Sequence, residues 1–396
     1  MSSNTLNLVT RLPVENEWRG RGDLRLMVGE LQRQRGYREK HPDAVIPLRD
    51  LAVEGFESDG NLTLCLRPVT KKASEVLPFD SLPGDMPMCL SNTAIAQLLA
   101  RCAPGIPVQY AKQVLATRDG YEEMIRHINQ RLSVSGSMTL VRHMDARVTA
   151  FLSDKYRVID NYDLAFACLQ AAERTGAKPI ECTLSDDIMR IKLLDENTWE
   201  SVVDARTTGV GSREHVARLG YHFAVDLPND AVLPVVTVSN SETGGGSLHL
   251  KLGIVRAACA NLMILEDVVS QVHLGSRLDP GIFRPETRKM NDDLLVRKAI
   301  DGIEAGFKPD VFYRMVDKAR GAVEDLIEDP IAATDAFVRD ASLTEEDRDR
   351  LLALFLGDYS STRWGLAQAV SRFSQEKDAD AGSDLEHAAG KLMMAY

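Results

Sequence analysis

Apolar positions recur along the chain with two different periods, and the change from one to the other divides it. Ile95, Leu98, Leu99 and Cys102 have the three- and four-residue spacing of one helical face, behind Ser91 as N-cap. LAVEGF and NLTLCLRP alternate instead, and Glu57-Ser58-Asp59-Gly60 between them supplies the positive φ of a hairpin turn. The same pattern predicts a hairpin of SMTLVRH and RVTAFLS through Met144-Asp145-Ala146, and another of KPIECTLS and IMRIKLLD around Asp186-Asp187. GYHFAVDLP, LPVVTVSNS and SLHLKLGIV extend the strand-rich part. DLRLMVGELQR, Asp23 to Arg33, reads as a short helix capped by Asp23, and PVQYAKQVLA and YEEMIRHINQRL as two more. KKASEVLPFDSLPGDMP reads as a flexible connection. YRVIDNYDLAFACLQAAERTG turns into a helix with Asp160 or Asn161 as cap and Gly176 as stop.

From Phe283 the period is helical almost to the end. Val296, Ala299, Ile300 and Ile303 share one face, and Phe312, Met315, Val316 and Ala319 another. TEEDRDRLLALFLG has a Thr344 cap, an acidic first turn and Gly357 as its stop. Strands in hairpins, rather than singly between helices, predict an α+β fold: antiparallel β-hairpins packed with helices, then an α-helical C-terminal region. The expected division is an N-terminal α/β-hairpin region over 1–85, an α+β core over 86–282 and an acidic helical region over 283–396.

Charge sharpens this division. The net charge is −11, and residues 286–396 hold 15 Lys+Arg against 23 Asp+Glu. Overall acidity argues against a protein that coats duplex DNA along its whole surface, but leaves room for a basic groove on the near-neutral remainder. No apolar run reaches the roughly 20 residues of a membrane span, and MSSNTLNLVTRLP lacks the pattern of a secretory signal. Six cysteines (Cys65, Cys89, Cys102, Cys168, Cys182, Cys259) lie far apart with no CxxC pair, which predicts reduced, buried thiols in a cytoplasmic protein.

Candidate chemistry is sparse. Gly244-Gly245-Gly246 invites comparison with a phosphate cradle, which requires a strand, GxxxxGK[ST] and then a helix. Here the glycines precede Leu248, Leu250 and Leu252 alternating with His249 and Lys251, so a flexible loop between two strands fits better. Such a loop, with Asn240 and Ser241 beside it, still allows close backbone approach to a ligand. Glu214, His215 and His222 lack the HExxH spacing, so no metal is expected. No GxSxG elbow occurs, Cys259 sits in an apolar run, and the paired carboxylates Asp186-Asp187, Asp292-Asp293 and Glu345-Glu346 fall at turns or helix starts. Neither catalysis nor a cofactor is predicted.

What remains is residues 141–163, VRHMDARVTAFLSDKYRVIDNYD. Arg142 and Arg147 flank a turn, Lys155 and Arg157 follow, and Tyr156 or Tyr162 is placed to stack on a base. Lys251 and Arg256, after the glycine loop, extend the same surface if the hairpins are neighbours. The alternative is a solvated hairpin whose arginines pair locally with aspartates.

RVTAFLSDKYRVIDNYDL, VSNSETGGGSLHLKLGIVRAACAN and STRWGLAQAVSRFSQ…LEHAAGKL resemble, in that order and over roughly residues 90 to 390, the bacterial and phage family known as domain of unknown function 932. Where that pattern has Cys-Asn-Gly after the glycine strand, this chain has Cys259-Ala260-Asn261-Leu262. The resemblance implies a phage- or plasmid-related protein acting in recombination, replication or defence evasion. By analogy of fold with phage single-strand annealing recombinases, it implies a non-enzymatic protein that holds single-stranded DNA and promotes annealing as a homo-oligomeric ring or filament. Arg142, Arg147, Lys155, Arg157, Lys251 and Arg256 would then neutralise phosphates and Tyr156 support a base. A second reading is an anti-defence effector whose acidic helices bind a host replication or defence protein.

Overall fold

The computed structural model describes residues 18–20, 24–58, 61–78, 88–102, 108–115, 117–145, 147–185, 187–202, 227, 231–257, 262–271, 284–377 and 379–394. In chain order the first half comprises β1 (Trp18–Gly20), α1 (Leu24–Lys40), β2 (Ala44–Pro47), a 3-10 turn (Leu48–Asp50), β3 (Leu51–Ser58), β4 (Asn61–Pro68), α2 (Lys71–Val76), β5 (Met88–Leu90), α3 (Asn92–Cys102), α4 (Val108–Leu115) and α5 (Arg118–Val134). Next come β6 (Met138–Met144), β7 (Arg147–Ser153), α6 (Asn161–Thr175), β8 (Lys178–Leu184), β9 (Met189–Leu194), β10 (Glu200–Ser201), β11 (Ala231–Asn240), β12 (Leu248–Arg256) and β13 (Leu262–Gln271). Six helices close the chain: α7 (Pro285–Gly306), α8 (Pro309–Glu324), α9 (Pro330–Asp340), α10 (Glu345–Asp358), α11 (Arg363–Ser374) and α12 (Ala379–Met394).

The strands form two sheets. One has the order β2-β6-β7-β5-β4-β3; the other runs β1-β8-β9-β11-β12-β13, with β10 beside β11. Every pairing is antiparallel except β5 with β7. The chain is therefore α+β, built on hairpins and closed by helices. The hairpins β3–β4, β6–β7, β8–β9 and β11–β12 form where alternation predicts them. Local signals also set helix ends: Ser91 Oγ accepts from Ala94 N–H at 3.0 Å, Asp160 Oδ1 accepts from Tyr162 N–H at 2.8 Å, and Gly176 ends α6 at φ +74°. Thr344 and Asp347 form a reciprocal capping box at the start of α10.

Three expectations need correction. α1 continues past Arg33 to Lys40, because Arg35, Tyr37 and Arg38 in its last turns all find partners on other elements. Residues 71–76 of the expected flexible connection form α2, capped by the Thr70 hydroxyl. Gly357 lies inside α10, which continues to Asp358. Asp23, Asp59-Gly60, residues 220–226 and 228 of GYHFAVDLP, and Cys259 lie outside the described residues.

Among the described residues the two largest hydrophobic clusters follow the two sheets. Residues between Ala44 and Phe151 build the first, with Leu64, Leu66, Met88, Leu90 and Val148 of the sheet packed against Ile95, Leu98, Leu99, Tyr121 and Ile128 of α3 and α5. Asn129 on α5 accepts from Val53 N–H and donates to Val53 C=O, both at 2.8 Å, and so satisfies one residue of the β3 edge. The larger core joins α1 and α6 to β8, β9, β11 and β12, and continues through Phe312, Phe355, Trp364 and Phe373 of the C-terminal helices. The C-terminal helices share one core with the second sheet.

Candidate functional site

The loop that joins β11 to β12 is where the two lobes meet. Asn240, Ser241, Glu242 and Thr243 are buried, and the glycines follow at its more open end. Asn240 Nδ2 donates to Ile159 C=O at 3.0 Å and to Asn161 Oδ1 at 2.8 Å, tying the end of β11 to the start of α6. Ser241 Oγ accepts from Gly245 N–H at 3.0 Å, which folds the loop back on itself. Gln97 of α3 bridges the lobes: it donates to Thr243 C=O at 2.7 Å and accepts from Phe151 N–H at 2.8 Å. Thr93 Oγ1 donates to Asp187 Oδ1 at 2.5 Å, holding the β8–β9 turn against the same helix.

Glu242 is the electrostatic centre. Its Oε2 meets Arg38 Nη2 of α1 at 2.5 Å and Arg142 Nη2 of β6 at 3.1 Å, and its Oε1 accepts from Asn161 N–H at 2.6 Å. Arg142 Nε also lies 3.4 Å from Asp43 Oδ2. Burial by itself would raise the Glu242 carboxyl, but Arg38, Arg142 and the amide at the positive end of α6 outweigh it and hold the group below its ordinary 4.5. Asp160 moves the other way, because burial and the nearby Glu242 charge both favour its neutral form. Arg38 Nε, Arg142 Nη1, Asp43 Oδ1, His143 Nε2 and Asn240 Oδ1 are buried without a hydrogen-bond partner. With both oxygens engaged and its side chain enclosed, Glu242 acts as a bolt between lobes rather than as an acid or base facing a substrate.

Gly244-Gly245-Gly246 is a strand-to-strand loop, as its context predicts, with no helix behind it for phosphate. Gly244 has φ +79°, and a Cβ there would come 2.7 Å from Leu152 Cδ2. The glycine thus lets the loop close onto β7.

The seven residues expected to track nucleic acid do not form one exposed face. Arg142 is 2% exposed and neutralised by Glu242 and Asp43. Arg157 is buried against α7, with Nη2 at 2.7 Å from Asp292 Oδ1 and 2.8 Å from Asn291 C=O. Arg256 is buried on β12 opposite Val232. Tyr156 is half-buried, its hydroxyl donating to Ser241 C=O at 3.3 Å, and Tyr162 has the Arg35 guanidinium 5.0 Å over its ring. Only Lys155 is exposed, while Arg147 and Lys251 are half-buried on different sheets. Arg142 and Arg157 do pair with carboxylates, but with partners distant in sequence rather than with local aspartates of a solvated hairpin. Glu214, His215 and His222 lie outside the described residues.

Sequence reasoning missed Glu242, Arg38 and Asp43. The only signal was a lone acidic residue between small polar residues and glycines, and that pattern belongs equally to surface loops. It also missed a second buried group: Lys192 on β9 reaches Glu181 Oε2 at 2.9 Å and Glu386 Oε1 of α12 at 2.8 Å. Comparison of the chain with protein-family models, curated proteins and solved structures finds no match. Among the described residues no helix is long and apolar enough to cross a membrane.

Proposed function

We propose that this is a non-enzymatic binding protein whose contact surface is the acidic face of α9 and α10, and whose partner is a protein with a basic surface. One observation carries the reading. Residues 324–358 hold eleven Asp+Glu against three Lys+Arg, and two of those three cations are held by carboxylates while several acids remain exposed. Arg348 Nε binds Asp335 at 2.5 Å and Arg350 Nη2 binds Glu376 at 2.6 Å, whereas Glu328, Asp340, Glu345, Glu346 and Asp358 are exposed. Large apolar side chains accompany them in the same segment: Leu326, Ile331 and Leu356 are 75%, 51% and 56% exposed. Phe337, Leu351, Leu354 and Phe355 anchor these helices to the larger core, which supports the surface rigidly. Opposite charge steers encounter, and the apolar side chains supply area to desolvate on contact.

Single-strand binding and annealing, the reading implied by the family resemblance, retains Lys155, Arg147 and Lys251 of its residues and needs a different surface. Fluorescence anisotropy of the full chain separates the two. The probes are a labelled Arg/Leu-rich peptide and a labelled single-stranded oligonucleotide, each at low and high salt. The proposal expects salt-sensitive binding of the peptide, lost in Asp340→Lys/Leu356→Ser/Asp358→Lys. Both lysines would stand in the last turns of their helices, where the dipole favours cations, so folding is retained. Oligonucleotide binding at low salt that Arg147→Glu/Lys155→Glu removes, with no peptide binding, would replace it with the single-strand reading.

A further inference from the structure

Two cysteines that lie far apart in sequence are in contact. Cys65 on β4 and Cys89 on β5 are direct cross-strand partners, and their Sγ atoms are 3.2 Å apart as thiols. Directly opposed residues of an antiparallel pair have Cα atoms about 4.5–5.5 Å apart, inside the range of about 4.4–6.8 Å that a disulfide spans. Leu64, Leu66, Met88 and Leu90 pack into the core of the first lobe, so by strand alternation the two sulfurs share the opposite face. Arg147 of β7 is the register partner of Cys89 on its other side. Cys89 is half-buried and Cys65 fully buried.

We infer that Cys65 and Cys89 form an oxidisable dithiol, with Cys89 the sulfur that meets a peroxide and Cys65 the one that resolves it. The geometry assigns the order: only Cys89 has exposure, and Arg147 stands beside it. The electrostatics agree, since the Cys65 hydrogen bond and the Arg147 charge hold the Cys89 thiol below its ordinary value, against the effect of burial. Cys65 moves up, because of the same bond and its burial. The Cys89 thiolate attacks one peroxide oxygen, the O–O bond breaks, and hydroxide leaves with a sulfenic acid formed. Cys65 sulfur then attacks the Cys89 sulfur; the S–O bond breaks, and the departing hydroxide takes the Cys65 proton as water. Two thiol sulfurs are oxidised by two electrons in all, and one peroxide is reduced. The product ties β5 covalently to β4, and β5 leads directly into Ser91, the cap of α3 that carries the interlobe Gln97.

The test is hydrogen peroxide added to the native full chain at near-stoichiometric amounts, then peptide mapping without reductant. The expected result is a Cys65–Cys89 linked peptide that has lost two hydrogens, formed in native but not in urea-unfolded chain. Cys65→Ser should stop at a sulfenic acid on Cys89 that dimedone traps. Arg147→Gln should slow alkylation of Cys89 at neutral pH about threefold or more. Retention of two separately alkylatable thiols after peroxide, over-oxidation of Cys89 without a link, or pairing with another cysteine would overturn the inference. The mapping of unmodified protein decides it even if a variant fails to fold.

Discussion

The β11–β12 loop and the α9–α10 helices are both rich in charge, and the fold treats them in opposite ways. Around Glu242 two arginines and a helix amide close on both carboxylate oxygens in the interior. On α9 and α10 the carboxylates outnumber their cations, and Asp340, Glu345, Glu346 and Asp358 stay in water. Charge density in a sequence therefore says little about partners until each group's nearest opposite charge is known. A buried pair is fixed by the lobes it joins, whereas an exposed surplus is free to choose a partner.

Removing one member of the buried group should have the largest effect. Glu242→Ala leaves Arg38 and Arg142 enclosed without their carboxylate, and should destabilise the chain by about 3–5 kcal/mol in urea titrations. A loss below about 1 kcal/mol would mean that water already reaches the group.

Next in size is the loop backbone. Gly244→Ala places a Cβ at positive φ and 2.7 Å from Leu152 Cδ2, and should cost about 1–3 kcal/mol. At Gly245 the nearest heavy atom to an added Cβ is Ser241 Oγ at 3.6 Å, so Gly245→Ala should cost less. Equal losses at the two positions would remove the assigned role of the Leu152 contact.

A smaller effect separates the regions by pH. The Glu242 carboxyl is depressed in the folded chain, so its contribution is complete above the ordinary 4.5 and is lost as pH falls through the lower folded value. Asp160 has the opposite sign and offsets part of that loss. Urea midpoints between about pH 6 and pH 3 should fall more steeply for the native chain than for Glu242→Gln. Parallel curves would show that the pair does not titrate with folding.

The smallest stability change belongs to the exposed region. Asp340→Lys and Asp358→Lys should each shift stability by less than about 0.5 kcal/mol while removing affinity for a basic peptide. A large drop in melting temperature would place those carboxylates in structural roles.

Much of the fold was legible because its signals are local. The Ser91, Asp160 and Thr344 caps act within a few residues, Gly176 needs only its own φ, and strand alternation sets each hairpin from its own two segments. The candidate site was not legible in the same way. Arg142 and Arg157 look alike in a sequence of strands and turns, yet one closes on Glu242, 100 residues away, and the other on Asp292, 135 residues away. The same holds for Cys65 and Cys89, whose sulfurs meet only because β5 inserts between β4 and β7.

By itself the sequence determined the pairing of each hairpin and the caps at Ser91, Asp160, Gly176 and Thr344, and that acidic charge gathers toward the C-terminus. The tertiary structure alone decided which charges are buried and paired, which thiols touch, and that the C-terminal helices share a core with the second sheet. The physical reason is range: backbone capping and strand period act over a few residues, while desolvation and Coulomb attraction depend on whatever the fold brings alongside.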